Sequence, residues 1–228
     1  MHYKMNDITL DLPPSIPEGV DVDEDILQRT FQYIIIGRPG AGKSTLIKNL
    51  LFHEKLYFKK FHKVLFMTPS GISGIELDSS NWVPSLNLDW LDRKLREESE
   101  LGKEKNITRN ILIVIDDLVS SLDKNKNDEF LVQIFYNRRH LLPNIHICLI
   151  VTTQKWSKIP SGFRVVATGL FLFAVPPKEL KAIKEELSIA RTIRLDPILK
   201  AIWSSKHHFF YYNFNKDTLF HNFDQIIL

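Results

Sequence analysis

The chain has 228 residues, 44% of them hydrophobic and 25% charged, which excludes disordered and collagen-like architectures and leaves room for one substantial α/β domain or two small ones. A formal net charge of +3 permits a nucleic-acid partner without naming one. The single cysteine, Cys148, excludes an intrachain disulfide, no apolar run approaches the ~18 residues of a membrane span, and the polar start does not read as a signal peptide, so a soluble intracellular domain is expected.

Residues 1–30 read as an N-terminal arm. Pro13, Pro14 and Pro17 break any helix there, and Asp21, Asp23, Glu24 and Asp25 form an acidic cluster. From Phe31 the texture changes, and residues 31–228 are expected to form a single P-loop ATPase domain. FQYIIIG is a β-branched and aromatic run of the kind buried on both faces of a parallel sheet. A helix should follow, with Leu46, Ile47, Leu50 and Leu51 on one stripe. KVLFMTP predicts a second strand, residues 69–87 read as irregular, and Leu88, Leu91 and Leu95 repeat at helical spacing before a charged, solvated stretch through Lys105. ILIVID is a third strand. Leu131, Ile134, Phe135 and Leu142 then predict one face of a helix stopped by Pro143. IHICLIVT and GLFLFAV are the fourth and fifth strands, Pro177 opens a helix carrying Leu180, Ile183 and Leu187, and HFFYYNF reads as one further strand. Strands alternating with helices predict a mainly parallel sheet with helices on both faces.

The strongest local signal is Gly37-Arg38-Pro39-Gly40-Ala41-Gly42-Lys43-Ser44, followed by Thr45, which fits the P-loop pattern between a strand and a helix. Glycines let successive N–H groups turn toward one anion, with the helix dipole behind them. Lys43 brings a point charge to the β- and γ-phosphates of ATP, and the Ser44 hydroxyl is the expected Mg²⁺ ligand. Asp116-Asp117 end the strand ILIVID in the Walker B manner. The first acid is expected to hold Mg²⁺ and the second to orient or deprotonate the attacking water. Gln154, at the tip of the next strand, could reach the γ-phosphate. That reading implies that its strand lies between the P-loop strand and the Walker B strand. In Arg138-Arg139-His140, Arg138 falls in the apolar helical stripe and Arg139 about 80° off it, so Arg139 is the better candidate for an arginine finger crossing a subunit boundary.

GRPGAGKST, ILIVIDDL, NRRHLLPNIHICLIVTTQ and GLFLFAVPPKELKAIKEEL together resemble the genome-packaging ATPases of large DNA viruses and virophages, the poxvirus-type branch of the FtsK/HerA superfamily. The resemblance covers about residues 31–190. It implies a sheet of the additional-strand (RecA-like) order and an ATP- and Mg²⁺-dependent motor. Such a motor assembles as a homo-oligomeric ring, a pentamer or hexamer, and drives double-stranded DNA into a capsid vertex. It would work in the host-cell cytoplasm or the virion. Carried over residue by residue, Lys43 and Ser44 match the P-loop pair, Asp116 and Asp117 the Walker B acids, Arg139 the finger and Gln154 the sensor. The wider superfamily usually has glutamate where Asp117 stands.

Two other readings use the same motifs. A small P-loop kinase would need an arginine-rich lid, and the clearest segment for one, 118–128, carries Lys124 and Lys126 and no arginine. An ATP-gated assembly module with little turnover is the other. Candidate DNA contacts are Lys55, Lys59, Lys60 and Lys63, interleaved with Tyr57, Phe58 and Phe61, and the loop holding Lys155, Trp156 and Lys158. His207, His208 and His221 read as parts of an aromatic terminal strand and Cys148 as a buried hydrophobe.

Overall fold

The computed structural model describes Gln28 and residues 30–227; the expected acidic, proline-rich arm lies outside the described residues apart from Gln28 and Thr30. Among the described residues, nine strands form one sheet: β1 (Gln32–Ile36), β2 (Lys63–Met67), β3 (Trp82–Val83), β4 (Arg109–Asp116), β5 (Ile145–Thr153), β6 (Gly169–Leu172), β7 (Phe210–Asn213), β8 (Thr218–His221) and β9 (Asp224–Gln225). Their spatial order is β3-β2-β4-β5-β1-β6-β7-β8-β9. The first six in that row pair in parallel and the last three join antiparallel. The strand after the Walker B acids therefore lies between that strand and the P-loop strand, as its terminal glutamine led us to expect.

The apolar runs are long because both faces of the sheet are covered. Alternate residues of β1 face opposite cores: Ile34 and Ile36 belong to one, Tyr33 and Ile35 to the other. The first core is closed by α2 (Leu88–Glu104), α3 (Val119–Lys124), α4 (Glu129–Asn137), α5 (Ser161–Val166), α6 (Pro177–Glu186) and α7 (Leu195–Ile202). The second lies under α1 (Lys43–Phe52) and the segments around Tyr57 and Ile72.

Several local expectations are corrected. The charged stretch through Glu104 is helix, with Trp90, Leu91 and Leu95 inward, Asn87 accepting the Trp90 N–H as N-cap, and Arg96 paired with Asp92 one turn back. Helix α4 stops at Asn137, so Leu142 lies in the turn beyond it and Pro143 is not its terminator. A two-residue strand, β3, interrupts the stretch read as irregular. The tail forms three strands: Asp217 and Asn222, both at positive φ, turn the chain back twice.

A buried ion pair pins α2 to the sheet. Arg109, at the start of β4, meets Glu98 at 2.6–2.7 Å, both side chains about nine-tenths buried.

Candidate nucleotide site

The P-loop leaves the C-terminal end of β1 and enters α1 directly. Gly40 (φ 71°) and Gly42 (φ 109°) occupy the left-handed region that a side chain disfavours. Gly37 is needed for a different reason. A Cβ there would stand 2.8 Å from the Cβ of buried Phe173, which lies beneath the loop just after β6. The Gly37 N–H donates to the Thr153 carbonyl (3.1 Å) and the Ala41 N–H to the Arg38 carbonyl (3.1 Å), so these two N–H groups shape the loop. Arg38, Pro39 and Gly40 form its exposed tip, and Ser44 and Thr45 are exposed at the helix start. The first-turn N–H groups of Lys43, Ser44 and Thr45 have no intrahelical carbonyl to meet, which leaves them available to an anion.

Lys43 folds back over the loop, its ammonium donating to the carbonyls of Gly37 (3.1 Å) and Arg38 (3.3 Å). Burial lowers its pKa from the ordinary lysine value, and the charges of Asp117 and Asp116 oppose that shift. The ammonium thus feels both acids. Strand register explains why: Ile36 lies opposite Thr153, and Asp116 opposite Thr152 one strand further on. Two strand spacings put the ends of β1 and β4 only ~10 Å apart.

Asp116 is buried, and each carboxylate oxygen is held by a threonine. The Thr68 hydroxyl donates to Oδ2 (3.2 Å) and the Thr152 hydroxyl to Oδ1. Thr152 Oγ1 also accepts the N–H of Asp117 (3.2 Å). Asp117 is exposed and turns at φ 58°, leaving the strand direction, and the Gln154 side-chain amide donates to its carboxylate at 3.2 Å. The structure therefore brings Lys43, Asp116, Asp117 and Gln154 together at one end of the sheet. As hard oxygen donors, the exposed Ser44 hydroxyl and the buried Asp116 carboxylate suit Mg²⁺ in type.

The two arginines lie elsewhere. Gln32, at the start of β1, donates to the Phe135 carbonyl (2.7 Å), so α4 ends at the N-terminal edge of the sheet. Arg138 and Arg139 therefore sit roughly 15 Å of strand away from their own P-loop. Arg138 is only 7% exposed, with a buried Nε that meets no partner among the described residues; burial first, then the Arg139 charge, lowers its pKa. This corrects Arg138 as a catalytic candidate: it packs in the core stripe. Arg139 is exposed.

Trp156 is likewise removed from the candidate DNA contacts. It is buried, its backbone N–H donates to Glu179 (2.8 Å), and Arg164 lies over its ring. Lys158 meets Asp123 at 3.5 Å. Tyr57 is buried and hydrogen-bonded to Tyr33 at 2.8 Å.

Three site residues escaped the sequence reading. Thr68 and Thr152 gave no signal beyond polar residues at strand ends. His207 touches the P-loop: its Nδ1 lies 3.2 Å from the Ala41 carbonyl, which can only accept, so Nδ1 carries the hydrogen. The adjacent His208 turns instead to His221 at 2.6 Å.

Comparison with known proteins follows the same lines. A family model described as Poxvirus A32 protein matches residues 22–227. The uncharacterized protein 015R of Frog virus 3 (isolate Goorha) is 27% identical over 164 residues, covering 69% of this chain and 47% of the relative. The chain thus spans about half the length of the curated relative it matches. The genome packaging NTPase B204 of Sulfolobus turreted icosahedral virus 2, solved with ATP-γ-S, superposes with a TM-score of 0.60 at 21% identity, covering 88% of this chain and 100% of that one. Its AMPPCP complex gives 0.61 at 18%, with the same coverage. The cytoplasmic domain of the Thermomonospora curvata type VII secretion ATPase EccC gives 0.52 at 12%, over 87% of this chain and 24% of that one. These structural likenesses establish the P-loop NTPase fold. With the family model spanning every described residue, the chain belongs to the Poxvirus A32 protein family.

Proposed function

We propose that the chain is a P-loop ATPase that drives double-stranded DNA into a viral capsid, working as a homo-oligomeric ring of five or six copies in the infected host-cell cytoplasm or the virion. The observation that carries this reading is the convergence of Lys43, Asp116, Asp117 and Gln154 at one end of the sheet, on a fold shared with a viral genome packaging NTPase.

In this reading the triphosphate lies against the first turn of α1. Lys43 exchanges the carbonyls of Gly37 and Arg38 for β- and γ-phosphate oxygens, a short movement because its ammonium already lies over the loop. Ser44 and Asp116 would hold Mg²⁺, which when bound draws negative charge from the β- and γ-phosphates. Asp117 accepts a proton from the water that attacks the γ-phosphorus, and ADP leaves in line. Gln154 orients that carboxylate through its amide and lies close enough to the γ-phosphate position to respond to its loss. The Asp117–Gln154 pair favours hydrolysis over transfer to a bound acceptor, since a phosphotransferase needs no water-activating group there. Arg139, exposed and far from its own P-loop, is assigned to the γ-phosphate of a neighbouring subunit.

Phosphate release from ATP, measured with and without duplex DNA across a range of protein concentration, tests the proposal. Turnover per subunit should rise with both. Turnover that ignores both overturns the ring-motor reading.

A further inference from the structure

On its β2–β4–β5 side, the end of the sheet opposite the nucleotide site is entered by three segments that carry no acid. Residues 58–63, 105–110 and 138–146 lead into β2, β4 and β5, and hold seven Lys or Arg and three His with no Asp or Glu, in a chain whose overall charge is only +3. They are joined in space. The His62 N–H donates to the Asn110 carbonyl (2.8 Å), the Asn110 N–H donates back to His62 Nδ1 (2.9 Å), and Asn110 pairs with His146 across β4 and β5. The Asn110 amide also reaches the Lys60 carbonyl at 3.4 Å. His62, Asn110 and His146 therefore form one row on one face of three neighbouring strands. Lys59 and Lys60 are exposed at its β2 end, and Lys105 is exposed at the end of α2.

The chemistry of this row suits phosphate. Because His62 Nδ1 accepts a backbone N–H, its neutral ring carries hydrogen on Nε2 and presents a donor even uncharged. Of the acids on α2, Glu98, the one whose charge acts on His62, is paired with Arg109, and Glu104 is exposed one residue before Lys105. Such an edge repels itself unless it meets a polyanion. Two strand spacings, ~10 Å, match a length of duplex that carries about six phosphate charges. The acids that would serve Mg²⁺, Asp116 and Asp117, lie at the other end of β4.

We propose that this N-terminal edge of the sheet, on its β2–β4 side, binds the phosphate backbone of duplex DNA through Lys59, Lys60, Lys105 and the His62–Asn110–His146 row. This rests on the packaging reading and locates its DNA contact away from the loop after Gln154. Arg139 stands beyond β5 on the same edge and keeps its separate assignment to a neighbouring subunit.

The test is duplex DNA binding by fluorescence anisotropy from 50 to 200 mM salt, on the full chain, for the wild type, Lys59→Ala/Lys60→Ala/Lys105→Ala, and Lys155→Ala/Lys158→Ala. Each phosphate contact contributes ~0.9 to the slope of log affinity against log salt, so the triple variant should lose roughly 2.7 of slope and on the order of 100-fold in affinity at 0.15 M salt. Its DNA-independent ATP hydrolysis and Tm should stay at wild-type values, and the Lys155/Lys158 variant should keep the wild-type slope. A triple variant with wild-type slope, or a slope lost only in the Lys155/Lys158 variant, overturns this placement and leaves the motor standing. A wild type that binds no duplex removes the DNA-motor reading itself, and this inference with it.

Discussion

Replacing Thr152 with valine keeps the branched shape that β5 requires and removes one hydroxyl. That hydroxyl has two partners: it donates to Asp116 and accepts the Asp117 N–H. Thr152→Val therefore leaves a buried carboxylate oxygen and a strained turn without their shared anchor, while Thr68→Val removes only the single bond to Asp116 Oδ2. A hydrogen bond to a charged group contributes ~1.5–3 kcal/mol. Loss of about 2 kcal/mol should lower Tm by about 4–8 °C in a domain of this size. If the hydroxyl holds Asp116 where the transition state needs it, the same energy appears in turnover as roughly a 10- to 150-fold drop in kcat. Steady-state phosphate release at saturating Mg²⁺ and ATP measures kcat, a fluorescent nucleotide measures affinity, and thermal unfolding gives Tm. The expected order is wild type, Thr68→Val, Thr152→Val, with nucleotide affinity little changed. A Thr152→Val protein with lowered Tm but wild-type turnover would refute the idea that this threonine orients the Walker B acid.

Arg139→Ala should bind nucleotide normally and lose about 10³–10⁵ in turnover. Mixing it with Lys43→Ala should restore part of the activity, because each variant supplies what the other lacks across a subunit boundary. No rescue counts against action in trans. Gly37→Ala should cost ~1–3 kcal/mol through the clash with Phe173 and weaken nucleotide binding, whereas Gly40→Ala meets no atom and suffers only from its backbone angle; Tm comparison of the two checks this. Glu98→Ala leaves a buried guanidinium unpaired and should cost about 3–5 kcal/mol in denaturant unfolding, with kcat of the remaining folded protein unchanged. Cys148 is buried and its thiol pKa is pushed up to about 11, so at pH 8 it stays protonated and inaccessible. A thiol reagent should label it only as fast as the protein unfolds, and labelling at the rate of a free thiol would contradict its place in the core.

The features legible in the sequence share one property: their evidence is local along the chain. A P-loop is a contiguous backbone device, so GRPGAGKST between a β-branched run and a helix announces both its conformation and its ligand. The buried strands were legible because a strand covered on both faces must be apolar at every position. Arg138 and Arg139 could be sorted by helical angle alone, and their burial follows that angle. Short elements were less legible. Two residues of β3, and the hairpins carrying β8 and β9, have too little length to show a period, and their pairing comes from the sheet edge that receives them.

The amino-acid order by itself determined that this chain folds as an α/β domain of the P-loop NTPase type, with a glycine-rich loop, a pair of strand-terminal acids and a glutamine after the next strand. Only the tertiary structure decided what those groups meet. Thr68, Thr152 and His207 join the site because strands distant in sequence end side by side, and one hydrogen bond from each reaches an atom that its own segment could not supply. The arginine pair is carried to the opposite end for a reason equally physical. In a parallel sheet each connecting helix returns antiparallel to its strands, so residues that close α4 stand where β5 begins, a full strand length from the phosphates.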